Sequence, residues 1–268
     1  MKIISQINAL ICLLLLLSVN TLCAQAGISV SPPRTYFTLN EGDVERKKII
    51  VTNTSSENAL ELSISFNDWI YDEFGSNQVS EPNSLSNSCT SWLTVFPSNV
   101  LSLAPKETKE IEVQMTVPQQ LTPEFVHTAM MYITQTNVTT EQNKKGENIR
   151  ITLRTGVKIY HRKNEGRDLN VDFSDFSYSK ENNQLVLKIE NIGNVWGEGT
   201  IKNEIINQET GEEISLKEMV FYSLPGDKRT IHIDLPENLA KSKYIVNSTL
   251  NLGDTDFIKI AELSFSNE

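Results

Sequence analysis

Cysteine is almost missing from this chain: there are three in 268 residues, and Cys12 and Cys23 fall within the first 26. Those 26 residues read as a secretory signal peptide, with Lys2 in a short n-region, an apolar Ile11–Leu17 core and Ala24-Gln25-Ala26 as the small-residue cleavage pattern. Cleavage after Ala26 leaves Cys89 alone, which excludes an intramolecular disulfide; a buried free thiol and a bond to a second molecule are both open to it. Long hydrophobic runs are also lacking. Nothing after the leader approaches the ~20 continuous apolar residues of a membrane span, so the expectation is an exported product with no membrane span.

Positive charge is scarce as well. Twenty-four Lys and Arg face 34 Asp and Glu, a net charge of −10, and loss of Lys2 takes it to −11. Such a chain has no excess of cations to displace counterions, so no nucleic-acid partner is expected. Histidine is rarer still. His127, His161 and His232 are far apart in the sequence, with no HExxH and no Cys–His set, so no metal site is expected. Asp68, Asp72 and Glu73 match no calcium-loop spacing, and Glu212-Glu213 reads as solvated turn charge. A GxSxG elbow, a phosphate-cradling glycine loop and a dinucleotide fingerprint are all absent. The expectation is a protein that is not an enzyme and needs no cofactor.

What the chain does have is period-two alternation. Leu60, Leu62, Ile64 and Phe66 alternate with polar residues and lead to Trp69-Ile70-Tyr71; Ile111, Val113, Met115 and Val117 do the same. Residues 47–52, 92–96, 100–103 and 128–136 add strands, separated by Asn-, Gly-, Pro- and Ser-rich turns. Near the start, Ile28-Ser29-Val30-Ser31 is followed by Pro32-Pro33, which lack the N–H a ladder needs. That predicts an edge strand changing course at the prolines. Asp72 to Ser91 is a long polar, turn-rich stretch. No helical period is found.

The most regular stretch is Glu147 to Arg162. Ile149, Ile151, Leu153, Val157 and Ile159 share one parity, and Arg150, Arg154, Lys158 and Arg162 share the other. It predicts one long strand with an apolar and a basic face. The plainer reading is that Ile149, Ile151 and Leu153 pack in their own domain and the cations face solvent; periodicity alone favours it. The other is an edge strand offered to a partner.

Lys163-Asn164-Glu165-Gly166-Arg167 is a hinge, after which the strand pattern restarts and gives seven strands in about 100 residues. These are residues from 171, 184–189, 196–206, 214–224, 230–235, 244–252 and 257–265. The fold class is therefore all-β: two immunoglobulin-like antiparallel β-sandwich domains in tandem after the signal peptide. The boundaries are 1–26 for the leader, 27–163 for the first domain and 164–268 for the second. Domains of about 100–135 residues bury enough core to stand without disulfides.

The leader, the edge strand Arg34-Thr35-Tyr36-Phe37, Trp69, and Val157-Lys158-Ile159-Tyr160-His161-Arg162 before a hinge together resemble the periplasmic pilus (fimbrial) assembly chaperones. The resemblance covers residues 27–163. It departs at His161 and Lys163, where that family has an aromatic and a proline, and in the length of the polar segment from Asp72. It implies that Arg34 and Lys158 meet in an interdomain cleft and anchor the C-terminal carboxylate of a secreted pilus or surface-fibre subunit. Ile149, Ile151 and Leu153 would fill the groove of the subunit's incomplete sandwich by β-strand donation. The implied partners are such subunits and an outer-membrane usher, and the implied location is the periplasm. The second domain looks more like a generic fibronectin-type sandwich. A non-enzymatic adhesion or scaffold protein, secreted or at the cell surface and binding cell wall or partner surface proteins, is the other reading.

Overall fold

The computed structural model describes residues 27–120, 122–137, 139–142, 147–253 and 256–267, so the leader lies outside the described residues. Every regular element of the described chain is a strand, apart from a 3-10 turn at Thr90–Trp92. No helix among the described residues is long and apolar enough to cross a membrane.

The first half contains β1 (Ile28–Ser31), β2 (Arg34–Thr38), β3 (Val44–Asn53), β4 (Leu60–Tyr71), β5 (Asn77–Ser80), β6 (Leu93–Phe96), β7 (Val100–Leu103), β8 (Thr108–Thr116), β9 (Val126–Gln135), β10 (Thr139–Gln142), β11 (Asn148–Ile151) and β12 (Arg154–Arg162). One sheet runs β1-β3-β8-β6 and the other β2-β12-β9-β4-β5, with β7 also on β4. Their inner faces close on each other. Ile49, Val51, Ile111 and Val113 from the first meet Phe37, Leu60, Leu62, Met131, Ile133, Val157 and Ile159 from the second in one continuous core.

The prolines place the chain in both sheets. β1 pairs antiparallel with β3 at the edge of the first sheet; past Pro32-Pro33 the chain crosses over, and β2 pairs parallel with β12 at the edge of the second. Among the named strands of the described residues this is the one parallel pairing. It sets Arg34 directly opposite Lys158.

The long strand expected over residues 147–162 is two. Among the described residues β11 pairs with β10 alone, in a small separate hairpin, and Thr152-Leu153 interrupts the ladder before β12. Alternation persists across the break because each piece has its own period of two, so sequence pattern alone does not register it.

The second half contains β13 (Val171–Ser179), β14 (Gln184–Asn191), β15 (Gly197–Asn207), β16 (Glu213–Ser215), β17 (Met219–Ser223), β18 (Lys228–Asp234), β19 (Ser242–Asn251) and β20 (Ile258–Asn267). A sheet of β13-β14-β18 packs on one of β16-β15-β19-β20, with β17 also on β15, around Leu187, Ile189, Ile205, Phe221, Val246 and Leu250. The single strand expected over 214–224 is β16 and β17, which dock end to end along β15. Gly199 is required in β15, because a Cβ there would meet Asn251 O at 1.9 Å.

A third apolar cluster joins the two sandwiches. It gathers Trp69, Tyr71, Val126, Met130 and Tyr160 with Val195 and Leu224. Tyr36 stacks on Tyr160 at 5.1 Å between ring centroids, and Trp196 tilts against both at 5.4 and 5.3 Å.

Candidate functional site

The cleft beside this aromatic cluster is built on the outer face of β12 and β9. Side chains alternate along β12, so burying Val157 and Ile159 in the core turns Gly156 and Lys158 outward. Register then sets Met130 of β9 beside Lys158 and Tyr132 beside Gly156. Arg34, opening β2 just after Pro33, reaches the same place from the other flank. Pro33, Arg34, Met130, Tyr132, Gly156, Lys158 and Asn77 line one cavity of about 350 Å3.

Lys158 is held by aromatic faces. Its Nζ lies 4.2 Å from the Trp69 ring centroid and 4.1 Å from that of Tyr71, and it donates a 2.8 Å hydrogen bond to Tyr71 Oη. Ring quadrupoles fix an ammonium without neutralising it, so its charge stays available. Burial pushes the Lys158 pKa down to about 8, with the neighbouring Arg34 charge acting the same way and Glu198 opposing.

Arg34 is held from the second sandwich. Its guanidinium carbon sits 4.2 Å over the Tyr222 ring, and its Nε is 3.9 Å from Glu198 Oε1. Glu198 is meanwhile engaged by Tyr36, whose hydroxyl donates to Oε1 at 2.6 Å. Buried Arg34 Nε has no hydrogen-bond partner among the described residues. A fork of donors positioned by stacking, with its hydrogen bonds unspent, beside a partly dehydrated ammonium is an arrangement suited to a carboxylate.

Arg34 and Lys158 therefore come together. Ile151 is exposed and Leu153 half-buried, while Ile149 lies in β11 with its side chain outside the described residues. Tyr71, Tyr222, Glu198 and Arg229 were not expected at the site. Arg229 packs 5.2 Å from the Tyr71 ring and donates to Tyr222 O. Gly156 carried a usable signal, since glycine inside a strand marks a close approach.

No protein-family model matches the chain. No curated protein matches it either. Among solved structures it is similar to the chaperone–tip adhesin complex of CFA/I fimbriae biogenesis, at 15% identity over 88% of this chain and 98% of that one, TM-score 0.47. It is similar at 14% identity to the CsuC–CsuE chaperone–tip adhesion subunit pre-assembly complex from Csu pili of Acinetobacter baumannii, over 88% of this chain and 98% of that one, TM-score 0.49. The E. coli chaperone DraB shares 14% identity over 89% of this chain and 98% of its own, TM-score 0.47. These three structures are of chaperones, two of them in complexes of fimbriae or pili. With TM-scores below 0.5 they add no weight to a functional reading, which rests on the residues of the cleft.

Acidic and histidine side chains of the first sandwich are taken up by its own hydrogen bonds. Asp68 is buried and spent on its own loop: it accepts from Ser84 N at 2.7 Å, Leu85 N at 2.9 Å and the Ser84 and Ser88 hydroxyls. Asp72 caps the turn of the β4–β5 hairpin through Phe74 N and Ser76 N. His127 and His161, distant in sequence, are register partners on β9 and β12 and touch in the core. No group of three or more metal-binding side chains is found among the described residues. Cys89 is fully buried, and burial pushes its thiol pKa up, so it is an unreactive core thiol.

Proposed function

We propose that this protein is a periplasmic chaperone for secreted, β-rich pilus or surface-fibre subunits. It holds a client by lending it a strand edge and anchoring the client's C-terminal carboxylate on Arg34 and Lys158. The observation that carries this reading is a free strand edge that ends at two cations. β2 covers β12 only from Lys158 onward, where Lys158 N donates to Pro33 O. Backbone groups alternate sides along a strand, so Gly156 and Arg154 turn theirs to the same edge. Among the described residues no strand is paired there.

A client strand fits this edge in one direction. Running parallel to β12, as β2 does, it ends against Pro33 with its carboxylate at Arg34 and Lys158. Running antiparallel, it would bring an α-ammonium to the same two cations, which repel it. Upstream, exposed Ile151 and half-buried Leu153, with Ile149, supply the apolar residues a client's open groove needs. The leader accounts for export, and an outer-membrane usher is the acceptor that such a carrier would require.

The test is capture of exported clients by the tagged protein. Arg34→Glu or Lys158→Glu should each abolish co-purification while leaving the melting temperature of the protein near wild type. Undiminished capture by both variants would sink the proposal.

A further inference from the structure

We propose that Arg154 makes this cleft selective for clients bearing an acidic side chain two residues before their C-terminal residue. The inference rests on the carboxylate-anchoring reading above and adds to it a second anion subsite along the same edge.

Arg154 opens β12 on the same outward-facing parity as Gly156 and Lys158. It is exposed, and its guanidinium carbon lies 3.5 Å over the Tyr132 ring centroid. Stacking uses the face of the guanidinium and leaves its in-plane N–H donors free, while lowering the entropy lost when they engage a ligand. No carboxylate among the described residues is ion-paired with Arg154, in contrast to Arg46, Lys47, Lys48 and Lys109, which each have an acidic neighbour. In a protein of net charge −10, an ordered cation without an acidic partner at the mouth of a cationic cavity favours an anionic occupant.

The register fixes where that anion sits on the client. Pro33 O already takes the Lys158 N–H, so the last position open on the edge is opposite Gly156. A client ending there places its carboxylate toward Lys158 and Arg34. Its terminal side chain lies over Gly156, where no Cβ intrudes. In parallel pairing, residues opposite one another share a face, so the client residue two positions upstream projects beside Arg154. The residue between them, opposite Thr155, points to the other face.

The experiment is calorimetric titration of the mature protein with short peptides of alternating valine and threonine ending in a free carboxylate. One has glutamate two residues before the last, a second has glutamine there, a third moves the glutamate one residue closer to the end, and a fourth is the first with a C-terminal amide. Wild type should bind the first about five-fold more tightly than the second or third, the upper end of what one exposed charge-assisted pair is worth. Arg154→Gln should bind all three free-acid peptides alike. Equal affinity of wild type for the first two peptides, with the amide weaker, overturns the Arg154 subsite and leaves the anchoring intact. An amide that binds as well as the free acid, or no binding by any peptide, overturns the anchoring reading and the subsite with it.

Discussion

His127 Nδ1 lies 3.3 Å from His161 Nδ1 in the core of the first sandwich, with both side chains fully buried. Their outer nitrogens settle which carries the proton. His161 Nε2 is 3.0 Å from Leu39 O, which accepts only, so Nε2–H donates and His161 Nδ1 is an acceptor. His127 Nδ1–H then donates to it, leaving His127 Nε2 to accept from the Thr122 hydroxyl at 2.7 Å. With both rings neutral every ring nitrogen is matched, and protonating both would set one Nδ1–H against the other in a buried site.

Acid should therefore weaken the first sandwich well before the carboxylates at its surface titrate. Burial, with the facing His161 adding to it, pushes the His127 pKa down to about 4, below the ordinary 6.5. A depressed histidine pKa means the unfolded chain binds more protons between the two values. The stabilisation is present above about 6.5 and is lost as pH falls toward 4, by up to about 3 kcal/mol. Urea midpoints at pH 7 and pH 4.5 measure it. His127→Leu should flatten the difference; a slope unchanged by that substitution would assign the acid sensitivity elsewhere.

Lys158 predicts a second, separate pH dependence, this time of binding. Its pKa of about 8 lies below the ordinary lysine value, so it loses charge as pH rises through 8. Affinity for a free-carboxylate peptide should be level below pH 7 and fall on going to pH 9.5 by about ten-fold, the scale of one charged hydrogen-bonded partner. The amide form of the peptide should show no such fall. Stability moves the other way: the unfolded chain keeps the lysine proton up to about 10.4, so the fold gains stability between 8 and that value. Lys158→Met should remove both trends, and a binding profile unaltered in that variant would exclude the ammonium from the site.

Gly156 separates the cavity from the core. A Cβ there would meet Met130 Sδ at 2.9 Å and Tyr132 Cε1 at 3.3 Å, and methionine can swing its sulfur aside. Gly156→Ala should leave the unfolding free energy within about 1 kcal/mol of wild type, the scale of a mild overpacking relieved by a flexible neighbour. Because the displaced side chain moves into the cavity, peptide affinity should fall at least several-fold. Unchanged binding would mean that the terminal client residue does not pass over this position.

The strands and the pairing of Arg34 with Lys158 differ in how legible they were. Alternation at Leu60–Phe66 and Ile111–Val117 marks sheets with one buried face, and the expected β7, at Val100–Leu103, agrees with the structure to the residue. Pro32-Pro33 announced the change of sheet because a missing N–H is a local fact. The break at Thr152-Leu153 was hidden, since period two continues through it. The contacts of His127 with His161, and of Arg34 with Tyr222 and Glu198, were hidden for another reason. They are set by register and by the docking of two sandwiches, neither of which leaves a local pattern. Asp72 to Ser91, read only as polar and turn-rich, is ordered because Asp68 is buried beneath it and accepts its hydrogen bonds.

That same segment ties the sandwiches together and supports a last prediction. Glu73 O accepts from Thr230 N at 2.7 Å, and Phe74 stacks on His232 at 6.1 Å. On the other side of the cleft, Tyr36 donates to Glu198 at 2.6 Å. Burial and the Glu198 carboxylate both raise the Tyr36 pKa, so the hydroxyl stays protonated and keeps donating at any physiological pH. Two tethers on opposite flanks hold the angle at which Tyr222 meets Arg34. Tyr36→Phe removes one hydrogen bond to a charged acceptor, about 1–2 kcal/mol for a half-buried pair, without touching either core. Combined with Phe74→Ser, it should broaden the interdomain distance distribution in solution scattering while each sandwich keeps its own melting temperature. Affinity for a free-carboxylate peptide should fall as Arg34 loses its platform. A double variant with unchanged scattering would show that the aromatic cluster of Tyr160 and Trp196 holds the angle alone.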